Sequence, residues 1–517
     1  REASRGIRPP PSPPTTRRIR FMRAGSPLLS TCVSACIISA AVVPCKAVVP
    51  CHPAWPRLSG RLCSQRTRPL LLAIAPSPPP PQPPAAPYKP LSPWRGEHKW
   101  HLLSLYAALF SLISVKAVTF QALPGVLAAS SAGKPELVAE ALGAWTAASA
   151  AVEFVSLPAI GAWSDAVGRK PLMMLLAAVS LLFRVLVVCV PCKATVIVSR
   201  LVVSSLVNGY ILLVAASTAD LFRRDSAVLA GFEGKTAATW GLAYAGGMTL
   251  GGRLFAAGIT RATLRAAYLC SSGLALSALL LTMTGVRETL QPKARQGFKR
   301  RGLSPFGFVR LFRQGKLLCS LACILGLQAL HDGEGDMWQV YAEATRGWAP
   351  QQNALYGAAV GIATTCCGVL TGFSVRQLGN RLHTVVWTLA TAVSTLMFTS
   401  PSTRVAMASV PFGCAEDTMQ AAATARLVQA GAAQGMPRGQ LAADYGNLVA
   451  VVRVVGLYFF GKLCSVGLST GMPALPYWIC AALQLVAVAL VFTLPAAAWR
   501  NDADADAEAQ GAAGAAD

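Results

Sequence analysis

A short charged turn between two long apolar segments is the feature that most constrains how this chain can fold. Residues 161–170, Gly-Ala-Trp-Ser-Asp-Ala-Val-Gly-Arg-Lys, lie between the apolar segments 138–163 and 171–191. Charged side chains in hydrocarbon carry a large free-energy cost, so Asp165, Arg169 and Lys170 must lie at a membrane surface. The sequence therefore predicts a hairpin of two membrane-spanning helices.

The composition agrees with a membrane protein. Of 517 residues, 54% are hydrophobic and 13% are charged, and the mean hydropathy is +0.48. Soluble globular proteins carry about a quarter charged residues, so one large soluble core is excluded. The net charge of +24 comes from residues in the N-terminal tail and the loops rather than from a recognisable nucleic-acid-binding module, so we expect no nucleic-acid partner.

Apolar segments of membrane-spanning length recur from about residue 100 onward. The predicted spans are 102–122, 138–163, 171–191, 194–217, 229–257, 264–286, 317–339, 353–375, 383–400, 403–427, 441–466 and 473–497. A basic linker at 291–315 separates six spans in 99–290 from six in 316–498. Basic residues concentrate in the connectors on one side, so we expect that side, and both termini, to be cytoplasmic.

Two tails flank the predicted spans. Residues 1–98 are rich in Arg, Pro and Ser, and residues 499–517 are acidic and are expected to be disordered. Because the sequence begins at Arg1, it is interpreted as a fragment or as including translated upstream sequence, with Met22 as a plausible start. The stretch after Met22 fits a targeting peptide, and a disordered tail without an address is the alternative.

The second half contains a degraded copy of the charged turn. Gly372 and Gly379 reproduce the spacing of Gly161 and Gly168, again between the second and third spans of a half. Arg376 replaces the acid of the first copy, and Asn380 replaces its arginine. A repeated half with a matching motif is typical of transporters built by internal duplication.

The pattern Gly161-x-x-x-Asp165-x-x-Gly168-Arg169-Lys170 resembles the loop between helices 2 and 3 of the major facilitator superfamily. Its continuation, 171–175, resembles the branch of the tetracycline exporters and hippocampus-abundant-transcript-like proteins. The resemblance implies an all-α fold of twelve transmembrane helices in two pseudo-symmetric six-helix bundles. It also implies a gate in which Asp165 pairs with a helix end or with a base across the interface, and Arg169 with an acid. A topology anchor without a gating role is the alternative.

Two further segments resemble features of the same family. Asp220 ends a stretch similar to the cytoplasmic end of helix 4, and Gly247, Gly251 and Gly252 resemble the helix-5 glycine motif of antiporters. Small residues at this spacing let helices approach closely. Met248 stands where the proline of that motif is usual, which leaves tight packing without a transport role as an alternative.

Ionisable residues inside the predicted spans are the candidate cavity and coupling residues. On helices 1, 4, 7 and 10, which line the cavity in the family, they are Lys116, Arg200, Asp332, Glu334, Asp336, Glu416 and Asp417. Asp332 and Asp336 are four residues apart and are expected to share a helix face, where repulsion between carboxylates would favour proton exchange near neutral pH. A frayed outer helix end at 331–336, and a structural pairing of Glu416 and Asp417 with Arg453, are the alternatives.

The sequence thus predicts a monomeric, multi-pass secondary transporter of a small solute that works by alternating access, with proton coupling as a hypothesis. The lipid bilayer is its other expected partner, and the host membrane is left open. No catalytic set, cofactor motif or metal-ligand spacing stands out. A non-transporting receptor or scaffold on the same fold is the alternative, motivated by the degraded second turn and by Met248.

Overall fold

The computed structural model of the protein describes residues 98–222, 226–290, 292, 295, 305–413, 416–436 and 438–499. These residues form helices and short connections, with no strand among them. The expected tails, apart from residues 98 and 499, and most of the predicted linker lie outside the described residues.

The first half contains six long helices and one short one. They are α1 (Lys99–Val118), α2 (Ala122–Ser130), α3 (Pro135–Val167), α4 (Arg169–Cys189), α5 (Lys193–Leu221), α6 (Ser226–Leu254) and α7 (Arg261–Thr284). A tight turn at 119–121 separates α1 from the short α2. Leucines of α1, among them Leu105, Leu109 and Leu112, are fully buried in the core of this half.

The second half is more interrupted. Its helices are α8 (Val309–Arg313), α9 (Lys316–Ala329), α10 (Trp338–Arg346), α11 (Pro350–Phe398), α12 (Thr403–Ala408), α13 (Val410–Gly413), α14 (Glu416–Met419), α15 (Ala421–Ala433), α16 (Arg438–Ser469) and α17 (Leu475–Thr493). Short 3-10 turns lie at Pro305–Phe308, Leu330–Gly333 and Ala496–Trp499. Eight helical segments of the described part are long and apolar enough to cross a membrane.

Helix α11 holds two of the predicted spans, 353–375 and 383–400. Its 49 residues would extend about 74 Å if straight, far beyond a hydrocarbon core of about 30 Å. The chain instead folds back at Gly379, where φ is 70° and ψ is 165°. The Trp387 indole N–H donates to the Ser374 hydroxyl at 2.8 Å, a contact that a straight helix would forbid thirteen residues apart.

The two copies of the charged turn reverse the chain in the same way. Gly168 lies between α3 and α4 with φ 121° and ψ 160°, and Gly379 occupies the matching position of the second copy. Both conformations lie in the region that is essentially restricted to glycine. The backbone therefore supports the alignment of the two halves that the sequence repeat predicts, although Arg376 and Asn380 replace the acid and the arginine of the first copy.

Two predicted spans are wrong as continuous helices. The predicted span 317–339 ends as an α-helix at Ala329 and passes through the Leu330–Gly333 turn before α10 begins. Glycines at positions 333 and 335 supply the flexibility for this break. The predicted span 403–427 is divided into the short helices α12 to α15.

Candidate functional site

The charged turn and the end of α5 form one ion-pair cluster. The Arg169 guanidinium lies 2.7 Å from an Asp165 carboxylate oxygen and 3.2 Å from one of Asp220, and it also donates to the Ser164 hydroxyl. Arg169 and Asp220 are nearly buried, whereas Asp165 is half exposed. Three of the predicted residues thus lie together, and Arg169 pairs with acids as expected.

Asp165 binds within its own half, which corrects the expectation of a base across the interface. Arg169 is four residues further along and begins the next helix, which brings its guanidinium within 2.7 Å of the Asp165 carboxylate.

Glu288 is a member of this cluster that the sequence did not reveal. Its two carboxylate oxygens accept the backbone N–H groups of Arg169 and Lys170 at 3.0 and 3.1 Å. A carboxylate at this position satisfies the free amides at the start of α4 and complements the helix dipole. The Lys170 ammonium donates to the Met283 carbonyl at 2.8 Å, so the turn is fastened to the end of α7 as well.

We use loop side for the membrane side that carries residues 161–170, and far side for the one that carries residues 131–134 and 470–474. On the far side and in the middle of the bundle, the two halves meet through pairs of glycines. A Cβ placed on Gly143 would lie 2.6 Å from the Cα of Gly461, and one on Gly241 would lie 2.4 Å from the carbonyl oxygen of Gly361. The first pair joins α3 to α16 and the second joins α6 to α11, so both interfaces between the halves use the same device.

The predicted glycine motif of α6 divides between two contacts. Gly247 and Gly251 face the backbone of α1 around residues 114–118, within the first half, whereas Gly252 faces Ala354 of α11 across the interface. The motif therefore packs two helices against α6.

A central cavity of about 380 Å³ lies between the halves. Its lining comes from both halves and includes Lys116, Asp332, Glu334 and Asp336 of the predicted residues. A smaller adjoining cavity is lined by Lys116, Arg200, Asp336, Glu153 and Arg453 among others. The structure thus brings together charged residues from the first, fourth and seventh predicted spans. They are Lys116, Arg200 and Asp336.

Ion pairs cross between the halves at this cavity. The Arg200 guanidinium lies 3.2 Å from Asp336, and the Arg453 guanidinium lies 3.7 Å from Glu153. Lys462 and Glu140 form a third, more exposed pair toward the far side. The alternative pairing of Arg453 with Glu416 and Asp417 stays a prediction, and the partner that the structure describes is Glu153 across the interface. The side chains of Glu416 and Asp417 lie outside the described part of the structure.

The acids of the seventh span do not share a helix face, because residues 330–337 are not α-helical. Asp336 turns to Arg200, whereas Glu334 is buried and accepts from His331 at 2.9 Å and from the Thr395 hydroxyl at 3.3 Å. The frayed-end alternative is therefore correct about the break, which nevertheless lies inside the bundle.

His331, Glu334 and Cys480 could hold a metal ion. One ligand atom from each lies within 4.8 Å of the others, and the three side chains are largely buried. The sequence did not reveal this group, because Cys480 follows His331 by 149 residues.

Arg184 is a packing residue rather than part of the cavity. Its side chain is buried, donates to the Thr119 hydroxyl at 2.9 Å and lies over the Tyr268 ring. Arg184 therefore holds helices of the first half together rather than facing a solute.

Cys189 and Cys192 have the spacing of a redox pair, but both are free and exposed, Cys189 at the end of α4 and Cys192 directly before α5. The Thr195 hydroxyl contacts the Cys192 sulfur at 3.5 Å, and hydrogen bonds from Thr195 lower the pKa of the Cys192 thiol below its ordinary value. Cys192 is therefore a thiolate at lower pH than an unperturbed cysteine.

The Major Facilitator Superfamily sequence profile matches residues 105–436. The chain belongs to the major facilitator superfamily. It is accordingly an integral, multi-pass membrane protein of a family of transporters, with two pseudo-symmetric six-helix halves. No curated protein sequence matches it.

Solved structures of other superfamily members share the fold at low sequence identity. The human organic anion transporter MFSD10 (TETRAN) is 19% identical, with a TM-score of 0.58 over 77% of this chain and 100% of that one. The nucleoside transporter NupG is 14% identical, with a TM-score of 0.57 over 76% and 98% of the two chains. A D-xylose-proton symporter is 17% identical, with a TM-score of 0.56 over 76% and 96%.

Proposed function

We propose that this superfamily member is a secondary active transporter that carries a small solute by alternating access, and that Asp336 couples transport to protons. The observation that carries the proposal is the central cavity between two halves that share ion pairs and glycine contacts. In this arrangement the halves are packed together on the far side, and rocking would separate them there while exposing the cavity. By the sequence resemblance, we place the protein in the tetracycline-exporter branch.

The Arg200–Asp336 pair offers a physical route to proton coupling. The carboxylate of Asp336 is charged when it holds Arg200 across the interface at 3.2 Å. A proton on Asp336 removes that charge, weakens the attraction and lowers the cost of separating the halves. A proton bound from one side would thus favour a different arrangement of the halves and be released on the other side.

The charged turn would then hold one end of the first half rigid during the conformational change. Asp165, Arg169 and Asp220 join α3, α4 and α5 into one unit of the first half. We infer that this cluster keeps the loop end of the half rigid as the halves rock, with the loop side cytoplasmic as the distribution of basic residues predicts.

Flux measurements test the transport proposal directly. The full chain is reconstituted in liposomes, and a library of radiolabelled small solutes is screened for uptake with and without an imposed pH gradient. We expect a gradient to increase uptake by the wild type and to leave uptake by Asp336→Asn unchanged, because asparagine imitates the protonated acid. Glu343→Gln is the matched control, since Glu343 is exposed and does not line the cavity.

Two results would contradict this proposal. Uptake that is unaffected by both the pH gradient and the Asp336 substitution would exclude proton coupling through this residue. Absence of uptake for every solute, by protein that is folded and inserted, would favour a receptor or scaffold role.

A further inference from the structure

One cation of the central cavity has no partner in the part of the chain that the structure describes. The Lys116 ammonium makes no hydrogen bond or ion pair there, although it lines both the central and the adjoining cavity. Its basic neighbours Arg200 and Arg453 each bind an acid from the opposite half. Lys116 is thus the basic group left available to a solute.

The surroundings of Lys116 favour an anion. Three basic and two acidic side chains line the adjoining cavity, which leaves one positive charge in excess there. The central cavity adds Asp332 and Glu334, of which Glu334 pairs with His331, so the positive excess is confined to the end of the cavity beside Lys116. The acids Glu153 and Asp336 are already held by guanidinium groups. Glu153 and Asp336 attract Lys116 without forming an ion pair with it, and a buried cation without a direct partner is costly, so binding of one negative charge beside Lys116 would relieve that cost.

Aromatic rings cover the walls of the central cavity. The first half contributes Phe120, Trp240 and Tyr244, and the Trp240 and Tyr244 rings stack at 5.0 Å with an interplanar angle of 8°. The Phe120 ring meets Tyr244 edge-on at 5.8 Å and lies one turn beyond Lys116 in the chain. A flat aromatic face therefore lines the same cavity as the available cation.

The second half closes the cavity with four more rings, those of Trp338, Tyr356, Phe398 and Tyr477. Aromatic walls favour aromatic ligands through stacked and edge-on contacts. A volume of about 380 Å³ falls in the range of sites for small organic molecules. Asn208 of α5 adds a polar group that could orient such a ligand.

We propose that the central cavity binds a monoanionic aromatic acid, with its negative group on Lys116 and its ring between the aromatic walls. A single ammonium acts as a point charge, which suits one negative charge rather than a doubly charged group. This inference names the solute class of the transporter proposed above and rests on that function only for the transport step, because binding can be measured separately.

Competition by three indole compounds distinguishes the effect of ligand charge from that of ligand shape. Binding of tritiated indole-3-acetate to the purified full chain is measured by scintillation proximity, with unlabelled indole-3-acetate, indole-3-acetamide and tryptamine as competitors. They share the ring and carry a negative, zero and positive charge. We expect indole-3-acetate to compete at concentrations at least tenfold below those of the other two.

Substitutions of Lys116 test whether its ammonium binds the negative group of the ligand. Lys116→Met should weaken binding of indole-3-acetate at least tenfold, and Lys116→Arg should retain it. Lys193→Met is the matched control, because Lys193 is exposed at the start of α5 and donates to Ser130 rather than lining the cavity. Thermal unfolding of each variant shows that it is folded.

Three results would overturn the inference. They are equal competition by the acetamide, undiminished binding by Lys116→Met, or no saturable binding of the acid by folded protein. Uptake into liposomes then separates the two proposals. Binding that depends on Lys116 without any flux would refute transport and leave the ligand class standing, whereas equal flux of acid and amide would refute the ligand class and leave transport standing.

Discussion

The contact between Gly143 and Gly461 predicts that one methyl group will change which side of the protein is closed. A Cβ at Gly143 would lie 2.6 Å from the Gly461 Cα and 3.0 Å from the Leu457 carbonyl oxygen. Carbon atoms normally approach to about 3.5 Å, so Gly143→Ala requires the helices to part by about 1 Å. Both obstacles are backbone atoms, which cannot rotate away.

The free-energy cost of the added methyl group applies only while the halves are packed together on the far side. Overpacking of this kind costs about 1–3 kcal/mol. In a state with the far side open, α3 and α16 would separate and the added methyl would meet no backbone. The equilibrium should therefore shift about 5- to 150-fold toward the open far side, because each 1.4 kcal/mol is a factor of ten.

Pulsed electron paramagnetic resonance measures this shift. Spin labels at Lys134 and Thr470, which are exposed on the far side, report the separation of the halves after the native exposed cysteines are replaced. We expect Gly143→Ala to increase the long-distance population. Gly446→Ala is the control on the same helix α16, where an added Cβ meets no atom within 4 Å. Identical distance distributions for Gly143→Ala and the parent protein would refute the reasoning.

Three further predictions concern the turns and an exposed thiol. Gly379→Ala should lower the melting temperature by an amount equivalent to about 1–3 kcal/mol of backbone strain, and Gly372→Ala, which is helical and meets no atom within 4 Å, should not. Asp220→Asn should destabilise the protein by about 1.5–3 kcal/mol in chemical unfolding, because the nearly buried Arg169 loses one of its two acid partners and keeps Asp165, and Asp220→Glu should recover part of the loss. Because hydrogen bonding lowers the pKa of the Cys192 thiol, alkylation of this residue should rise at lower pH in the parent than in Thr195→Ala; superimposable rate–pH profiles would contradict that assignment.

The sequence predicted the features that depend on neighbours in the chain. Hydrophobic runs located most helices, and glycine spacing located both reversals at Gly168 and Gly379. The sequence predicted an acid as the partner of Arg169, and Asp165, four residues before it, is one of the two acids that bind it. Charges inside spans identified Lys116, Arg200 and Asp336 as cavity residues, because such charges have to face protein or water.

Features that depend on distant partners could not be predicted in the same way. Gly143 meets Gly461 and Glu153 meets Arg453 only because the halves pack as they do, and one sequence carries no record of which residues meet. The break after Ala329 was missed because the hydrophobic run continues through it, although the nearby glycines are a signal for such a break.

Anchors at both ends of the linker define the length of chain that connects the two halves. Glu288 ties the end of the first half to the start of α4, and Arg310 binds the buried Asp444 of α16 at 3.0 Å at the start of the second. The chain between Leu290 and Pro305 could extend to about 50 Å. That length is the upper limit on the distance between Leu290 and Pro305 in any arrangement of the halves, so it also bounds how far rocking can separate the two anchors.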